Sequence, residues 1–198
     1  MKLVLATQNP KKLKEMNEIL SHLGVEVVSE AELGVRIEVE ETGETFTANA
    51  RLKATAVMQA TGLPAVADDS GLCVDALNGG PGVYSARFGG EGLDDKGRYT
   101  LLLEMLRGQT DRAAHFHTSI VCAFPNGDEL VCEGECPGTI AFAPMGEGGF
   151  GYDPVFFVPE LRKTFGQLTA EEKASVSHRG KALRAFAAAL DDYLKGNE

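Results

Sequence analysis

The spacing of hydrophobic positions predicts strands and helices that alternate along the first part of the chain. Residues 3–6 form a continuous apolar run, which is typical of a strand covered on both faces. Apolar residues at three- and four-residue spacing then predict an amphipathic helix, which Asn9 caps, Pro10 opens and Gly24 ends. The same order repeats with a strand at 25–28 and a helix at 45–62.

The rest of the pattern adds a hairpin and further helices. A short buried strand at Ala65–Ala67 is predicted to reach a tight bend at Gly71, where glycine tolerates a left-handed backbone. The segment Pro125–Asp128 is a hairpin signal, and we interpret the hairpin as a candidate second lobe or dimer surface. This order indicates an α/β domain with a mixed sheet. Strands are also predicted at 72–77, 115–124, 129–142 and 155–158, and helices from residue 94 or 95, after a capping box at 169–172 and after residues 175–180.

Composition narrows the class of protein. At 198 residues the chain is one large domain or one domain with two lobes. Its net charge of −10 argues against a general affinity for nucleic acid. The four scattered cysteines indicate free thiols rather than a disulfide framework, and no second Cys/His pair accompanies Cys132 and Cys136 to form a zinc site. No apolar run is long enough to span a membrane or to serve as a signal peptide, so we expect a cytoplasmic protein.

Adjacent carboxylates at Asp68 and Asp69 are the first candidate chemistry. Two neighbouring acids repel each other, and a cation or hydrogen bonds must compensate them. Mg²⁺ is the usual compensator for a set of oxygen ligands, and the pair Glu40-Glu41 offers further oxygens. An Asx turn or a helix cap remains an alternative for the aspartates, and which glutamate would bind a metal stays open.

The turn between the first strand and the first helix is a candidate phosphate site. Free N–H groups at a helix start favour an anion, and Lys11 and Lys12 add positive charge. A solvated helix start is the alternative. On the second helix Lys53 lies one turn from Asn49, on the same face. Lys53 is a candidate site residue only if this face lies against the aspartate pair.

Two stretches near the C-terminus suggest recognition of a flat, polar ring. Four glycines in six residues surround Phe150, which with Tyr152 offers an apolar surface for stacking; a hinge without a ligand is the alternative. Lys173, His178 and Arg179 make a donor cluster near a helix start. The first βα turn lacks the glycine signatures of dinucleotide-binding and P-loop proteins. The pieces together indicate a nucleotide held through its phosphates and its base.

Several separate motifs in the same order resemble the Ham1/RdgB family of noncanonical purine nucleoside triphosphate pyrophosphatases, the inosine triphosphate pyrophosphatase family. The resemblance runs along essentially the whole chain. One departure is Gln8, where the bacterial family commonly has glycine. The motifs are Thr7-x-Asn9-x-x-Lys12, Glu41-Thr42-Gly43-x-Thr45-Phe46-x-x-Asn49-Ala50, Ala67-Asp68-Asp69-Ser70-Gly71-Leu72, Tyr84-Ser85-Ala86-Arg87, Gly148-Gly149-Phe150-Gly151-Tyr152-Asp153-Pro154, and Glu172-Lys173 before Ser177-His178-Arg179-Gly180.

The resemblance implies a Mg²⁺-dependent hydrolysis of ITP, dITP and XTP to the monophosphate and pyrophosphate. It implies one elongated, two-lobed domain over residues 1–198 and a homodimer. From charge and hydropathy we expect neither nucleic acid nor membrane as a partner. By resemblance, Asp69 is the general base, and the metal ligands come from Glu40, Glu41, Asp68 and Asp69. The substrate contacts that it implies are Thr7, Gln8, Asn9, Pro10, Lys11, Lys12, Lys53, Ser70, Phe150, Gly151, Tyr152, Asp153, Lys173, His178 and Arg179.

Two other functions remain open at this stage. A Maf-like pyrophosphatase would act on modified pyrimidine triphosphates, and a noncatalytic sensor would bind a nucleotide in the same pocket. Bare acids near phosphate weaken the second, since they help a triphosphate binder only when a metal is present. No residue accounts for the rejection of guanine, which shares the C6 oxygen of hypoxanthine.

Overall fold

The computed structural model describes residues 1–7 and 9–196, which form eight strands and five α-helices. Its strands pair in both orientations, which confirms the predicted α/β fold with a mixed sheet. The strands are β1 (Lys2–Leu5), β2 (Glu26–Ser29), β3 (Ala65–Val74), β4 (Gly80–Pro81), β5 (Ala113–Ala123), β6 (Glu129–Ile140), β7 (Phe156–Val158) and β8 (Lys163–Thr164). The helices are α1 (Pro10–Leu20), α2 (Phe46–Thr61), α3 (Asp95–Met105), α4 (Ala170–Val176) and α5 (His178–Gly196).

The chain forms two compact units. Unit 1 consists of Met1–Asp69, Thr118–Gly134 and Lys181–Glu198, and unit 2 of Ser70–His117 and Glu135–Gly180. Strands β3, β5 and β6 and helix α5 each contribute residues to both units, so no single linker divides the chain.

In unit 1, strands β2, β1 and β3 pair in parallel and carry helices on both faces. Strand β1 pairs in parallel with β2, Leu3 opposite Val27, and with β3, Leu5 opposite Val66. Side chains alternate across a strand. Leu3 and Leu5 therefore join a core with α1 and α5, while Val4 packs on the opposite side in a core with Val57 of α2.

Local signals start α1 and α2 and end α2 as predicted, whereas α1 ends at Leu20 and a 3₁₀ turn continues to the left-handed Gly24. Asn9 accepts a hydrogen bond from Lys11 N at 2.9 Å, and Pro10 is the first residue of α1. Thr45 accepts one from Ala48 N at 3.1 Å, and Gly62 closes α2 in a left-handed conformation. These side chains replace partners that the first and last turns of a helix lack.

Unit 2 is organised around an aromatic core. Strand β4 pairs antiparallel with β3, and β7 lies antiparallel to both β6 and β8. Phe116, Phe156 and Phe165 meet there, with ring centroids 4.7 to 5.7 Å apart. Arg112 lies buried at one edge, where its guanidinium donates to the carbonyls of Leu106, Ile140 and Ala141.

Two features of the sheet differ from the prediction. Strand β3 continues through Asp68, Asp69 and Ser70 to Val74, so the bend expected at Gly71 is absent. Ladder pairs with β1 at one end and β4 at the other hold this strand, and pairing between distant segments overrides local turn preference. The hairpin is not a lobe by itself, because its tip (Thr118–Gly134) belongs to unit 1 and its base to unit 2.

Other predictions are confirmed or left open. The capping box at Thr169 and Glu172 is present and opens α4. Each of the four cysteines is a free thiol. None of the described helices is long and apolar enough to cross a membrane. The single-domain organisation stays a prediction.

Candidate active site

Three carboxylates and two lysines meet in unit 1, and we call them the acid–lysine cluster: Lys12, Glu41, Lys53, Asp68 and Asp69. Strand β3 supplies the aspartates, α1 and α2 supply one lysine each, and the segment before α2 supplies the glutamate. The helix caps described above fix where each lysine leaves its helix.

Asp68 is the most deeply buried acid of the cluster, with 4% of its surface exposed. Its Oδ2 accepts a hydrogen bond from Lys12 Nζ at 2.7 Å. A buried carboxylate without a partner destabilises the folded protein by several kcal/mol, because its charge is removed from water without compensation. The ammonium of Lys12, 56 positions away in the chain, therefore makes this position tenable.

Lys53 links the other members of the acid–lysine cluster. Its Nζ donates to Glu41 Oε1 at 2.7 Å and to the carbonyl of Asp68 at 2.9 Å, and it lies 3.6 Å from Asp69 Oδ1. Burial lowers the pKa of Lys53, but attraction to Asp69 and the bond to Glu41 outweigh burial and raise it. Lys53 is therefore a permanent cation at neutral pH.

The structure separates the two candidate glutamates. Glu41 contacts Lys53, whereas Glu40 is exposed. Asn49, fully buried on α2, accepts from Gly43 N at 2.8 Å and so holds the segment that carries Glu41. Among residues 1–7 and 9–196, no three His, Cys, Asp or Glu side chains are grouped closely enough to hold a metal ion as they stand. The carboxylate oxygens are nonetheless ligands of the type that Mg²⁺ prefers.

The remaining residues of the predicted phosphate turn lie at the start of α1. Thr7 Oγ1 accepts from Asn9 N at 3.2 Å, and Lys11 is exposed. Thr7 and Lys53 also line a cleft of about 320 Å³ in unit 1. Gln8, a predicted substrate contact, lies outside the described residues.

Unit 2 holds a second group, which we call the aromatic–lysine cluster: Phe150, Asp153, Phe165, Lys173 and His178. Lys173 Nζ lies 2.5 Å from Asp153 Oδ2, 4.9 Å from the centroid of the Phe150 ring and 5.2 Å from that of Phe165. Burial raises the pKa of Asp153, against the lowering effect of Lys173. The cluster thus combines one paired cation with an aromatic surface, because Phe150 is 76% exposed.

The glycines before Phe150 have a steric role. Gly149 has a φ of +79°, and a Cβ there would collide with the carboxylate of Asp153. Glycine is the residue that tolerates both conditions. Asp153 Oδ2 accepts from Phe150 N at 2.8 Å, so the close approach places that carboxylate under the loop.

The predicted donor residues sit on two helices rather than one. Lys173 lies on α4, whereas His178 and Arg179 begin α5, and Ser177 separates the helices with an extended backbone. The ring of His178 stacks on Phe116 with centroids 4.7 Å apart. Arg179 is half-buried at the second position of α5.

Two further predicted substrate contacts, Tyr152 and Ser70, differ in burial. Tyr152 is 5% exposed, and its hydroxyl donates to the Ser85 carbonyl at 2.7 Å. Burial raises its pKa. Its ring is therefore part of the core rather than a second stacking face. Ser70 is exposed on β3.

Sequence reasoning missed Asp95. Its Oδ2 accepts from Gly151 N at 2.7 Å across 56 positions of the chain. The only signal in the sequence was its place in the first turn of α3. An acid is common there because it interacts favourably with the helix dipole, so the signal did not indicate a contact with the loop.

Fold and geometry together define an α/β protein whose unit 1 carries paired acids and lysines suited to phosphate chemistry. The chain belongs to the Ham1 family, whose model matches residues 3–189. This confirms the resemblance found in the motifs.

Relatives and solved structures agree with this family. The chain is 50% identical to a dITP/XTP pyrophosphatase of Exiguobacterium sp., over 99% of this chain and 100% of that protein. It is 53% identical to one of Thermus thermophilus, over 97% and 93%. The solved Ham1 protein of Staphylococcus aureus superposes with a TM-score of 0.91 at 41% identity, covering both chains fully. That of Coxiella burnetii gives 0.93 at 43%, over 97% and 99%.

Proposed function

We propose that this protein is a nucleoside triphosphate pyrophosphatase that hydrolyses ITP, dITP and XTP to the nucleoside monophosphate and pyrophosphate. The acid–lysine cluster carries the proposal, since a carboxylate beside ammonium groups suits attack of water on a polyphosphate. Relatives about half identical over nearly their whole length are named dITP/XTP pyrophosphatases, which supports the substrate class.

In this reaction water attacks the α-phosphorus and pyrophosphate leaves. Asp69, which keeps contact with Lys53, takes the proton from the attacking water. Proton transfer to a positioned base contributes roughly 10²–10⁴-fold to the rate. After Asp69 accepts one proton, the water oxygen bonds to the α-phosphorus and becomes part of the monophosphate. The bond between the α-phosphorus and the bridging oxygen breaks, and that oxygen leaves with the pyrophosphate.

Lys12 and Lys53 offset the charge that gathers on the leaving pyrophosphate. An ammonium group has three N–H donors. The structure describes one hydrogen bond of this kind for Lys12 and two for Lys53, so each retains donor capacity for a phosphate oxygen. Their bonds to the carboxylates orient them in advance of substrate.

We propose Mg²⁺ as the cofactor, with Asp68, Asp69 and Glu41 as the side chains that would hold it. The contact of Glu41 with Lys53 favours it over the exposed Glu40. A bound Mg²⁺ would polarise the phosphate and lower the pKa of the attacking water.

We propose that the aromatic–lysine cluster takes the base. Phe150 offers an exposed ring for stacking, and Lys173, His178 and Arg179 supply donors. Hypoxanthine and xanthine present an oxygen at C6, where adenine presents an amino group. A donor pairs with the oxygen and is left facing another donor with adenine, a mismatch that costs about 1–3 kcal/mol when buried.

The direct test is product analysis in ¹⁸O-labelled water. Incubation of the protein with dITP and Mg²⁺ should release pyrophosphate, with the label in dIMP, because the water attacks the α-phosphorus. Release of orthophosphate, or label in pyrophosphate, would contradict this reaction. Binding of dITP without turnover would favour a sensor, and faster turnover of dUTP or 5-methyl-UTP would favour a Maf-like enzyme.

We also propose that the protein is a cytoplasmic homodimer, as the resemblance implies. Light scattering after size-exclusion chromatography should give twice the 21.1 kDa chain mass. A mass of one chain at micromolar concentration would contradict it.

A further inference from the structure

The glycine loop of unit 2, residues 146–151, joins a flexible backbone to an exposed aromatic ring. Gly146, Gly149 and Gly151 all have positive φ. Glycine loses more conformational freedom on folding than any other residue. The loop therefore keeps one shape, and Phe150 one position, only where other groups fix the backbone.

The first half of the glycine loop is fixed by main-chain contacts. Gly148 N donates to Gly166 O at 3.0 Å, and Met145 N donates to Pro154 O at 2.8 Å. A Cβ at Gly146 would collide with the carbonyl of Gly166. This half lies against the backbone of its neighbours.

The second half is fixed by two carboxylates from different parts of the chain. Phe150 N donates to Asp153 Oδ2 at 2.8 Å, and Gly151 N donates to Asp95 Oδ2 at 2.7 Å. These N–H groups belong to the two planar peptide units on either side of the Phe150 Cα. Anchoring both planes fixes φ and ψ of Phe150, and with them the direction in which its side chain leaves the backbone.

Asp95 is arranged for this contact. Its Oδ1 accepts from Arg98 at 3.1 Å, while its Oδ2 accepts from Gly151. The neighbouring Asp94 instead caps α3, accepting from Gly97 N at 2.7 Å. The two adjacent acids thus have separate tasks, one within the helix and one on the loop.

We propose that Asp95 is a positioning residue for base recognition, which acts by holding the peptide between Phe150 and Gly151. Its effect on substrate rests on the proposed function, in which Phe150 takes the base. Its effect on the loop does not depend on that function.

Hydrogen exchange of the Gly151 amide, followed by NMR, tests the contact in the free protein. Asp95→Ala should speed this exchange about tenfold, as expected for loss of a hydrogen bond to a charged group. Asp95→Asn retains an acceptor oxygen and should restore part of the protection. Asp94→Ala, which weakens the start of α3 but leaves Asp95 in place, should leave the Gly151 exchange unchanged.

Thermal unfolding of each variant shows whether it is folded. If Asp95→Ala and Asp94→Ala changed the Gly151 exchange equally, Asp95 would be only a helix residue and the proposal would be overturned. Unchanged exchange in Asp95→Ala would overturn it as well.

Steady-state kinetics with dITP test the consequence. Asp95→Ala should raise KM severalfold with little change in kcat, because it loosens the stacking residue and leaves the acid–lysine cluster intact; Asp95→Asn should fall between it and wild type. A severalfold fall in kcat of Asp95→Ala with unchanged KM would contradict a role in base binding. If the wild-type protein did not hydrolyse dITP, the proposed function would be wrong. The hydrogen-exchange experiment would still show whether Asp95 holds the loop.

Discussion

The acid–lysine and aromatic–lysine clusters use lysine in opposite settings. In unit 1 two lysines stand among three carboxylates. In unit 2 one lysine pairs with a single buried carboxylate and lies over two aromatic rings. The first setting suits a strongly charged, oxygen-rich group, and the second suits a flat ring with polar edges. This difference supports our proposal that the first cluster binds the triphosphate and the second the base, and each prediction below can contradict that proposal.

The largest effect is expected at the proposed base. Asp69→Asn should lower kcat about 10²–10⁴-fold, because an amide cannot take the proton from water. Asp192→Asn, an exposed aspartate on α5, is the matched control and should keep wild-type turnover. Near wild-type kcat in a folded Asp69→Asn protein would remove Asp69 from the mechanism.

The lysines of unit 1 should matter for the leaving group. Lys12→Ala and Lys53→Ala should each lower kcat/KM for ITP roughly tenfold to a hundredfold, in line with lost hydrogen bonds to charged groups. Affinity for IMP, measured by calorimetry, should change far less. Lys14→Ala, on the exposed face of α1, serves as control. Equal losses for ITP and IMP would show that these lysines do not act on the pyrophosphate.

The exposed ring of unit 2 should affect binding rather than chemistry. Phe150→Ala should weaken ITP binding by about 1–3 kcal/mol, the range for base stacking on an aromatic side chain, and raise KM accordingly. Phe142→Ala is matched to it, since that ring is also exposed and lies under the guanidinium of Arg112. A fall in kcat for Phe150→Ala with unchanged KM would place the base elsewhere.

A smaller effect, confined to the metal requirement, is expected within the acids themselves. Asp68→Asn and Glu41→Gln should raise the Mg²⁺ concentration for half-maximal activity and weaken Mn²⁺ binding measured by electron paramagnetic resonance. Glu40→Gln should change neither, because Glu40 is exposed. If all three variants bound Mn²⁺ as wild type does, the proposed ligand set would be wrong.

The elements of both units follow from local signals wherever those signals are sufficient. Asn9, Thr45 and Gly62 end or begin helices through contacts within a few residues, so the sequence predicts them. Strand β3 is different, since its passage through Asp68 depends on ladder partners and on Lys12, far away in the chain. Sequence alone therefore predicted a bend where the structure has a strand.

The candidate site shows the same limit. Motifs identified the residues that carry charge or a ring, because those residue types are visible in sequence. The supporting contacts, Asn49 on Gly43 and Asp95 on Gly151, join groups whose relation appears only in three dimensions. Tyr152 was expected as a stacking face, yet a tyrosine beside exposed Phe150 packs into the core.

The division of labour between the clusters is tested most directly by the ratio of kcat/KM for ITP to that for ATP, measured side by side in Lys53→Ala and Arg179→Ala. Lys53→Ala should lower both values by the same factor and leave the ratio at its wild-type value, since both nucleotides carry the same triphosphate. Arg179→Ala should lower the value for ITP much more than that for ATP and flatten the ratio. A flattened ratio in Lys53→Ala with an unchanged ratio in Arg179→Ala would contradict the assignment of phosphates to unit 1 and base to unit 2.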